Sequence, residues 1–345
     1  MGISGDSAVI DLDALVGGAA ALSGDPDQPP MALVDLDSVN DAPSDLLTAA
    51  YERLGAPSVV TNGIATAPVP ARLAPLIEAL TTTLAPAGPG RAWVQAEPGA
   101  LERVSATVAQ APVAAITLAN LLPATSRATV GDGLQLESAA YSTLLAGPEF
   151  RGWRGRTPAS AMPEADEPVR LDRDGDELAI TLNRPDRHNA FGRAVRDGLI
   201  DALELAALDD TVRQVVVRGA GRSFCSGGDL AEFGTATDPA SAHLVRLGRS
   251  AGRRVHELRE RVRVEVHGAC IGAGVEVPSF AAQVVARDDA FFQLPELGMG
   301  LIPGAGGTVS LPRRIGRWRT AFLALSGDRI GVDTAVEWGL VDGRL

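Results

Sequence analysis

Lysine is absent from this chain; all 31 basic side chains are arginine. A lysine Schiff base and a phosphate-loop lysine are therefore excluded. Any phosphate contact must come from Arg, a backbone amide or a helix N-terminus. Cysteine is nearly absent. Two residues, Cys225 and Cys270, cannot staple a secreted scaffold, so a reducing cytoplasm is the expected location. No apolar run reaches the length of about 18 residues that suggests a transmembrane helix, and no membrane partner is expected. Residues 1–13 contain early acids and no basic segment, so no signal peptide is expected. The net charge of −12 argues against nucleic acid or an anionic membrane surface as a partner. His243, His256 and His267 show no metal-ligand spacing with a cysteine or another histidine, and no metal is expected.

What is present is an ordinary globular composition, 46% apolar and 21% charged over 345 residues. That length suits one large domain or two smaller ones. A stretch rich in Pro, Gly and charge, residues 151–168, reads as a linker. Before it, short apolar runs at 32–36, 58–61 and 92–95 predict strands. Helical spacing covers 44–54, 70–84, 101–122 and 133–145. Residues 1–30 are rich in Gly, Asp and Pro, and poor order is expected there. After the linker, strands are predicted at 177–182, 212–218, 262–266, 284–287 and 290–293. Helices are predicted at 190–208 and 241–261 and again beyond Gly306, and a glycine turn at 268–274 leads into another. Strands alternating with helices give an α/β fold.

Two glutamates stand in glycine-rich, apolar surroundings. Glu276 ends Gly272-Ala-Gly-Val-Glu276, and Glu296 lies in Leu294-Pro-Glu-Leu-Gly-Met-Gly300. A carboxylate among apolar neighbours is costly to ionise, so its pKa rises. Two of them facing one cavity can act as general base and general acid near neutral pH. Two further stretches, Arg222-Ser-Phe-Cys-Ser-Gly-Gly-Asp229 and His267-Gly-Ala-Cys-Ile-Gly-Ala-Gly274, each run from a strand through glycines toward a helix. Free amides in such turns bind anions, and one from each loop would make an oxyanion hole. Either loop alone is equally a simple structural turn. The partial Gly-x-Gly dinucleotide pattern is weak, because its third glycine is missing.

These motifs occur in a fixed order with Leu182-Asn-Arg-Pro185, Ile302-Pro-Gly-Ala-Gly-Gly-Thr308, Leu325-Ser-Gly-Asp-Arg-Ile330 and Trp338-Gly-Leu-Val341. In that order, residues 169–345 resemble the crotonase family, the enoyl-CoA hydratases and isomerases. The resemblance implies a spiral core of ββα turns and an acyl-CoA ligand, with no cofactor beyond that thioester. It implies catalytic roles for Glu276 and Glu296, which stand 20 residues apart as in the family's hydratases. The N–H groups of Gly228 and Ala273 would hold the thioester oxygen. Arg187, His188, Ser226 and Asp229 would bind the substrate, Asp229 also capping the following helix. The expected reaction is hydration of a trans-2-enoyl-CoA. The alternatives are an enoyl-CoA isomerase and a non-catalytic acyl-CoA-binding subunit. Cys225 and Cys270 read as small buried fillers. A homo-oligomer, a trimer or hexamer, is implied by the same resemblance.

The family continues past Gly-Leu-Val with helices that cover the site. Residues 98–155 resemble those helices yet precede the core. Four segments are thus expected: an α/β part at 1–97, helices at 98–155, a linker at 156–168 and the core at 169–345. The first 155 residues are a circular permutation, a decayed duplicate of the core, or an unrelated α/β domain. Under either of the first two readings the helices should cover the two glutamates.

Overall fold

Period-two alternation builds the first sheet. In β2 (Met31–Asp35), Met31 and Leu33 face one side while Ala32 and Val34 face the other, and all four are buried. A strand apolar on both faces belongs inside a parallel sheet. β2 sits between β1 (Ala8–Ile10) and β3 (Val60–Ile64), and β4 (Thr82–Leu84) completes the order β1-β2-β3-β4, all parallel. One face packs on α1 (Leu12–Val16), α2 (Ser44–Arg53) and α3 (Ala74–Ala79) through Leu15, Ala50 and Ile77. The structure, a computed structural model, describes residues 8–17, 29–39, 41–54, 59–157, 167–235 and 238–345.

Several expectations for this part need correction. Residues 8–16, expected to be poorly ordered, form a paired strand and a helix; residues 1–7 and 18–28 lie outside the described residues. The helix expected over 70–84 stops at Ala79, because the run Thr81-Thr82-Thr83 is β-branched and pairs as β4. The strand expected at 92–95 is reduced to one parallel bridge, Leu84 to Val94.

Four helices follow: α4 (Ala100–Gln110), α5 (Pro112–Arg127), α6 (Val130–Leu145) and α7 (Pro148–Arg156). The single helix expected over 101–122 breaks before Pro112, which lacks an N–H and opens α5 instead; the two axes differ by 109°. Glu149 on α7 closes the start of α5, accepting from the N–H groups of Val113 (2.8 Å) and Ala114 (3.1 Å). Residues 151–156, expected in the linker, complete α7. Among the described residues no single helix is long and apolar enough to cross a membrane.

The second sheet has the order β13-β10-β8-β7-β6-β5. Its strands are β5 (Val169–Asp174), β6 (Glu177–Leu182), β7 (Gln214–Gly219), β8 (Val262–Val266), β10 (Gln283–Ala286) and β13 (Gly343–Arg344). Only the β5–β6 hairpin is antiparallel. β5 gave no strand signal because it is an exposed edge in which charged residues predominate. A small layer of β9 (Ala269–Ile271), β11 (Phe291–Gln293) and β12 (Ile330–Gly331) stands beside it. α8 (Arg193–Leu208) buries the stripe Val195, Leu199, Ala202, Leu203 and Ala206. The helix expected over 241–261 is two helices, α9 (Pro239–Gly248) and α10 (Ala251–Glu257). Ser250 between them caps α10 by accepting from the Arg253 N–H. α11 (Ala273–Glu276), α12 (Gly307–Ile315), α13 (Arg317–Ser326) and α14 (Val332–Trp338) complete the chain. One hydrophobic core joins Met31, Leu33 and Val60 of the first sheet, α4 to α7, and the second sheet. The segment 98–155 is thereby packed between the two sheets' territories.

Candidate active site

The two glycine loops are laid side by side by backbone pairing. Cys225 N–H donates to Ala269 O (3.1 Å) and Ile271 N–H to Cys225 O (3.0 Å), a parallel bridge between Cys225 and Cys270. Both thiols are buried, and burial pushes Cys225 up to about 12, so neither is a nucleophile at neutral pH. This pairing carries Gly228 and Ala273 to one cavity of about 220 Å³. Ala273 opens α11, where its N–H has no partner in the helix. Among the described residues, neither that N–H nor the one of Gly228 donates to a backbone acceptor. The two form a pair of free donors on one wall.

Glu276 and Glu296 line the same cavity. Glu276 ends the short α11, and its Oε2 accepts from the N–H groups of Ala305 (2.7 Å) and Gly307 (2.8 Å). Glu296 opens a 3-10 turn after Pro295. Its carboxyl reaches so near Gly272 that a Cβ there would lie 2.4 Å from Glu296 Oε1; with φ of +49° as well, only glycine fits. Glu296 Oε2 is buried with no hydrogen-bond partner among the described residues.

The sequence did not mark the third carboxylate. Glu137 of α6 lines the same cavity, accepting at Oε1 from the Gly306 N–H (2.7 Å). Its Oε2 accepts from the Thr308 N–H (2.9 Å) and hydroxyl (2.8 Å). Successive amides of one strand of chain thus alternate: 305 and 307 hold Glu276, while 306 and 308 hold Glu137. Burial raises all three acids. The charge on Glu276 raises Glu137 and Glu296 further, and the N–H donors of Ala305 and Gly307 pull Glu276 back down. The amide donors favour the charged form of Glu276, and Glu296, whose Oε2 lacks a donor among the described residues, holds its proton more tightly than Glu276. Leu134, Ser138 and Tyr141 of α6 line the same cavity, so this helix roofs the two glutamates within the chain.

The residues expected to bind substrate lie elsewhere. Arg187, His188 and Ser226 do not line the cavity that holds the glutamates. Arg187 (3.3 Å) and Arg184 (3.4 Å) both pair with Asp229, whose side chain is 4% exposed. Asp229 also accepts from the Ala231 N–H (3.0 Å). The helix it was expected to cap is a turn at 231–234; the next helix, α9, is capped by Asp238. Asp229 is thus an internal ion-pair node that ties the loop 184–189 to the Gly228 loop. His188 Nδ1 meets Ser223 Oγ at 3.1 Å, and the Ser226 N–H donates to His188 O at 3.0 Å. His188 and Asn189 both hold positive φ, +52° and +54°. Asn189, unremarked in the sequence, pins this loop by accepting from the Arg184 N–H and donating to Ala220 O and Ser223 O.

Residues 176–344 match the family model described as Enoyl-CoA hydratase/isomerase. This half of the chain is a member of the crotonase family. Its α/β core is the crotonase spiral. Among its relatives are the 1,2-epoxyphenylacetyl-CoA isomerase and the 2,3-dehydroadipyl-CoA hydratase of Escherichia coli K12. Each is 36% identical over 48% of this chain and 64% of the relative. A probable enoyl-CoA hydratase of Bacillus subtilis 168 is 32% identical over 47% of this chain and 63% of its own length. The chain thus spans just under two thirds of the curated relatives it matches. A solved enoyl-CoA hydratase from Thermoplasma volcanium GSS1 is 34% identical, with a TM-score of 0.48 over 52% of this chain and 71% of that one. Crotonase relatives include both hydratases and isomerases, so membership alone leaves the reaction open.

Proposed function

We propose that the chain hydrates the double bond of a trans-2-enoyl-CoA. The observation that carries this reading is the meeting of two raised carboxyls, Glu276 and Glu296, with the free N–H groups of Gly228 and Ala273 in one cavity. The thioester oxygen sits between the two N–H groups, which stabilise the enolate that forms on attack. Glu276, fixed at Oε2 by two amides, keeps Oε1 for a water and takes its proton as the oxygen adds to the β-carbon. Glu296, still protonated, delivers its proton to the α-carbon from the unpartnered Oε2. The water proton taken by Glu276 then returns to Glu296, and the site is reset. This sequence needs proton transfer only, and the coenzyme A thioester is its substrate.

The test is the loss of conjugated enoyl absorbance when the purified chain is mixed with crotonyl-CoA. Glu276→Gln and Glu296→Gln should each lower kcat on the order of 10²–10⁴-fold, the usual worth of a positioned acid or base. Hydration left intact in both variants would overturn the two-carboxylate reading. A shifted double bond without water uptake would assign an isomerase, and thioester binding without turnover a binding subunit.

A further inference from the structure

Three arginines, Arg196, Arg246 and Arg249, also line the cavity. Two of them are neutralised. Asp197 pairs with Arg196 at 2.9 Å and Arg249 at 3.2 Å, and Asp201 lies 3.7 Å from Arg249. Arg246 differs. It has no ion pair with a carboxylate among the described residues. Its Nε donates to Ser138 Oγ (3.2 Å) and its Nη2 to Ser142 Oγ, both neutral hydroxyls of α6. The guanidinium lies 4.9 Å from the centre of the Tyr141 ring, a stacked seat that fixes its plane without cancelling its charge. The charge of Glu137 also acts on it, but both Glu137 oxygens are committed to the amides of Gly306 and Thr308.

A guanidinium cannot shed its proton. A partly buried cation on the cavity wall, with no carboxylate paired to it among the described residues, is stabilised by an anion brought into the cavity. We propose that Arg246 is the counter-ion of a carboxylate carried at the far end of the acyl group. The substrate class is then an enoyl thioester whose acyl chain ends in an acid, not in a methyl group. This rests on the acyl-CoA reading above and adds the polarity of the acyl tail. Ser138, Ser142 and Tyr141 orient the guanidinium, leaving Nη1, which forms no hydrogen bond among the described residues, to meet the ligand. Arg246 lies within the family match, whereas Ser138, Tyr141 and Ser142 of α6 lie outside it, so the seat for the acid is shared between the two parts of the chain.

The test uses ligands that cannot react, so that binding is read apart from turnover. Hexanoyl-CoA and the coenzyme A monothioester of the six-carbon dicarboxylic acid are titrated calorimetrically into the full chain and into Arg246→Gln. The parent should bind the acid-ended thioester at least about tenfold more tightly, in keeping with a hydrogen bond between charged groups. Arg246→Gln should lose that preference and keep its affinity for hexanoyl-CoA within about threefold. Equal affinities in the parent, or a preference that survives in Arg246→Gln, would overturn the inference. A loss shared equally by both thioesters and by free coenzyme A would place Arg246 on the coenzyme's phosphates and overturn it as well. If neither thioester bound the parent, the acyl-CoA reading itself would fall.

Discussion

Glu137 was hidden for a physical reason. Glu276 and Glu296 are legible because their neighbours are glycines and apolar residues in an order that resembles a family. Glu137 sits in a plain amphipathic helix, and its partners, Gly306 and Thr308, are about 170 residues away in sequence. The structure inverts the usual polarity at this point of the helix: Leu136 is 44% exposed, while Glu137, beside it, is 2% exposed. Glu137 positions Glu276 by fixing the stretch 305–308, whose other amides hold that carboxylate. Glutamine cannot replace it cleanly, since its amide NH₂ would face an N–H that needs an acceptor. Glu137→Gln should therefore cost about 1–3 kcal/mol in urea unfolding, the penalty of an unsatisfied buried group, and lower kcat. It should also move the alkaline limb of the kcat/KM profile to lower pH, because the Glu137 charge helps to hold the Glu296 proton. A variant that lost stability but kept the parent's pH profile would reduce Glu137 to a packing role.

Elements were legible where burial alternates cleanly and less so where the chain bends. β6 and β8 have the predicted bounds, since their apolar residues recur every second position. The breaks before Pro112 and at Ser250 were missed because apolar spacing runs on across both, while a missing N–H and a capping hydroxyl end the helices. What locks α5, which packs against the roof helix α6, was not readable at all. The start of α5 is capped by Glu149 from α7, two helices away in the chain, and Arg313 of α12 donates to Thr125 O (3.2 Å) and Ala128 O (2.6 Å) at its other end. Carboxylates at N-termini and cations at C-termini match the helix dipole. Glu149→Ala should lower stability by about 0.5–2 kcal/mol in urea unfolding. It should leave kcat within about twofold, because Glu149 lines neither the glutamates nor the free N–H pair. A large loss of kcat with unchanged stability would show that the roof moves during turnover.

At the scale of the whole molecule, one core runs through both halves while a second lies within the first sheet and its helices; the shared core should make unfolding a single transition that reports on the buried acids of both. The three cavity glutamates come from both sides of the linker, and each holds its proton more tightly when folded than when unfolded. Below the ordinary carboxylate range, about 4.3, both states are protonated and the shift is silent. As pH rises, the unfolded chain ionises first, so these groups subtract stability until the folded acids follow, Glu276 at about 7 and Glu137 at about 8. The lowered carboxyls Asp37, Asp197 and Asp209 work in the opposite sense, but their contribution is complete above their ordinary range. His256, lowered by burial, adds stability as pH rises through its own range and masks part of the loss. Comparing the parent with Glu296→Gln cancels His256 and leaves the glutamate. The variant should gain stability relative to the parent between about pH 5 and about pH 8, read as the difference in urea unfolding free energy at the two values. A difference that stays constant across that range would mean that Glu296 ionises alike in both states, and the site would then have no proton held ready for the α-carbon.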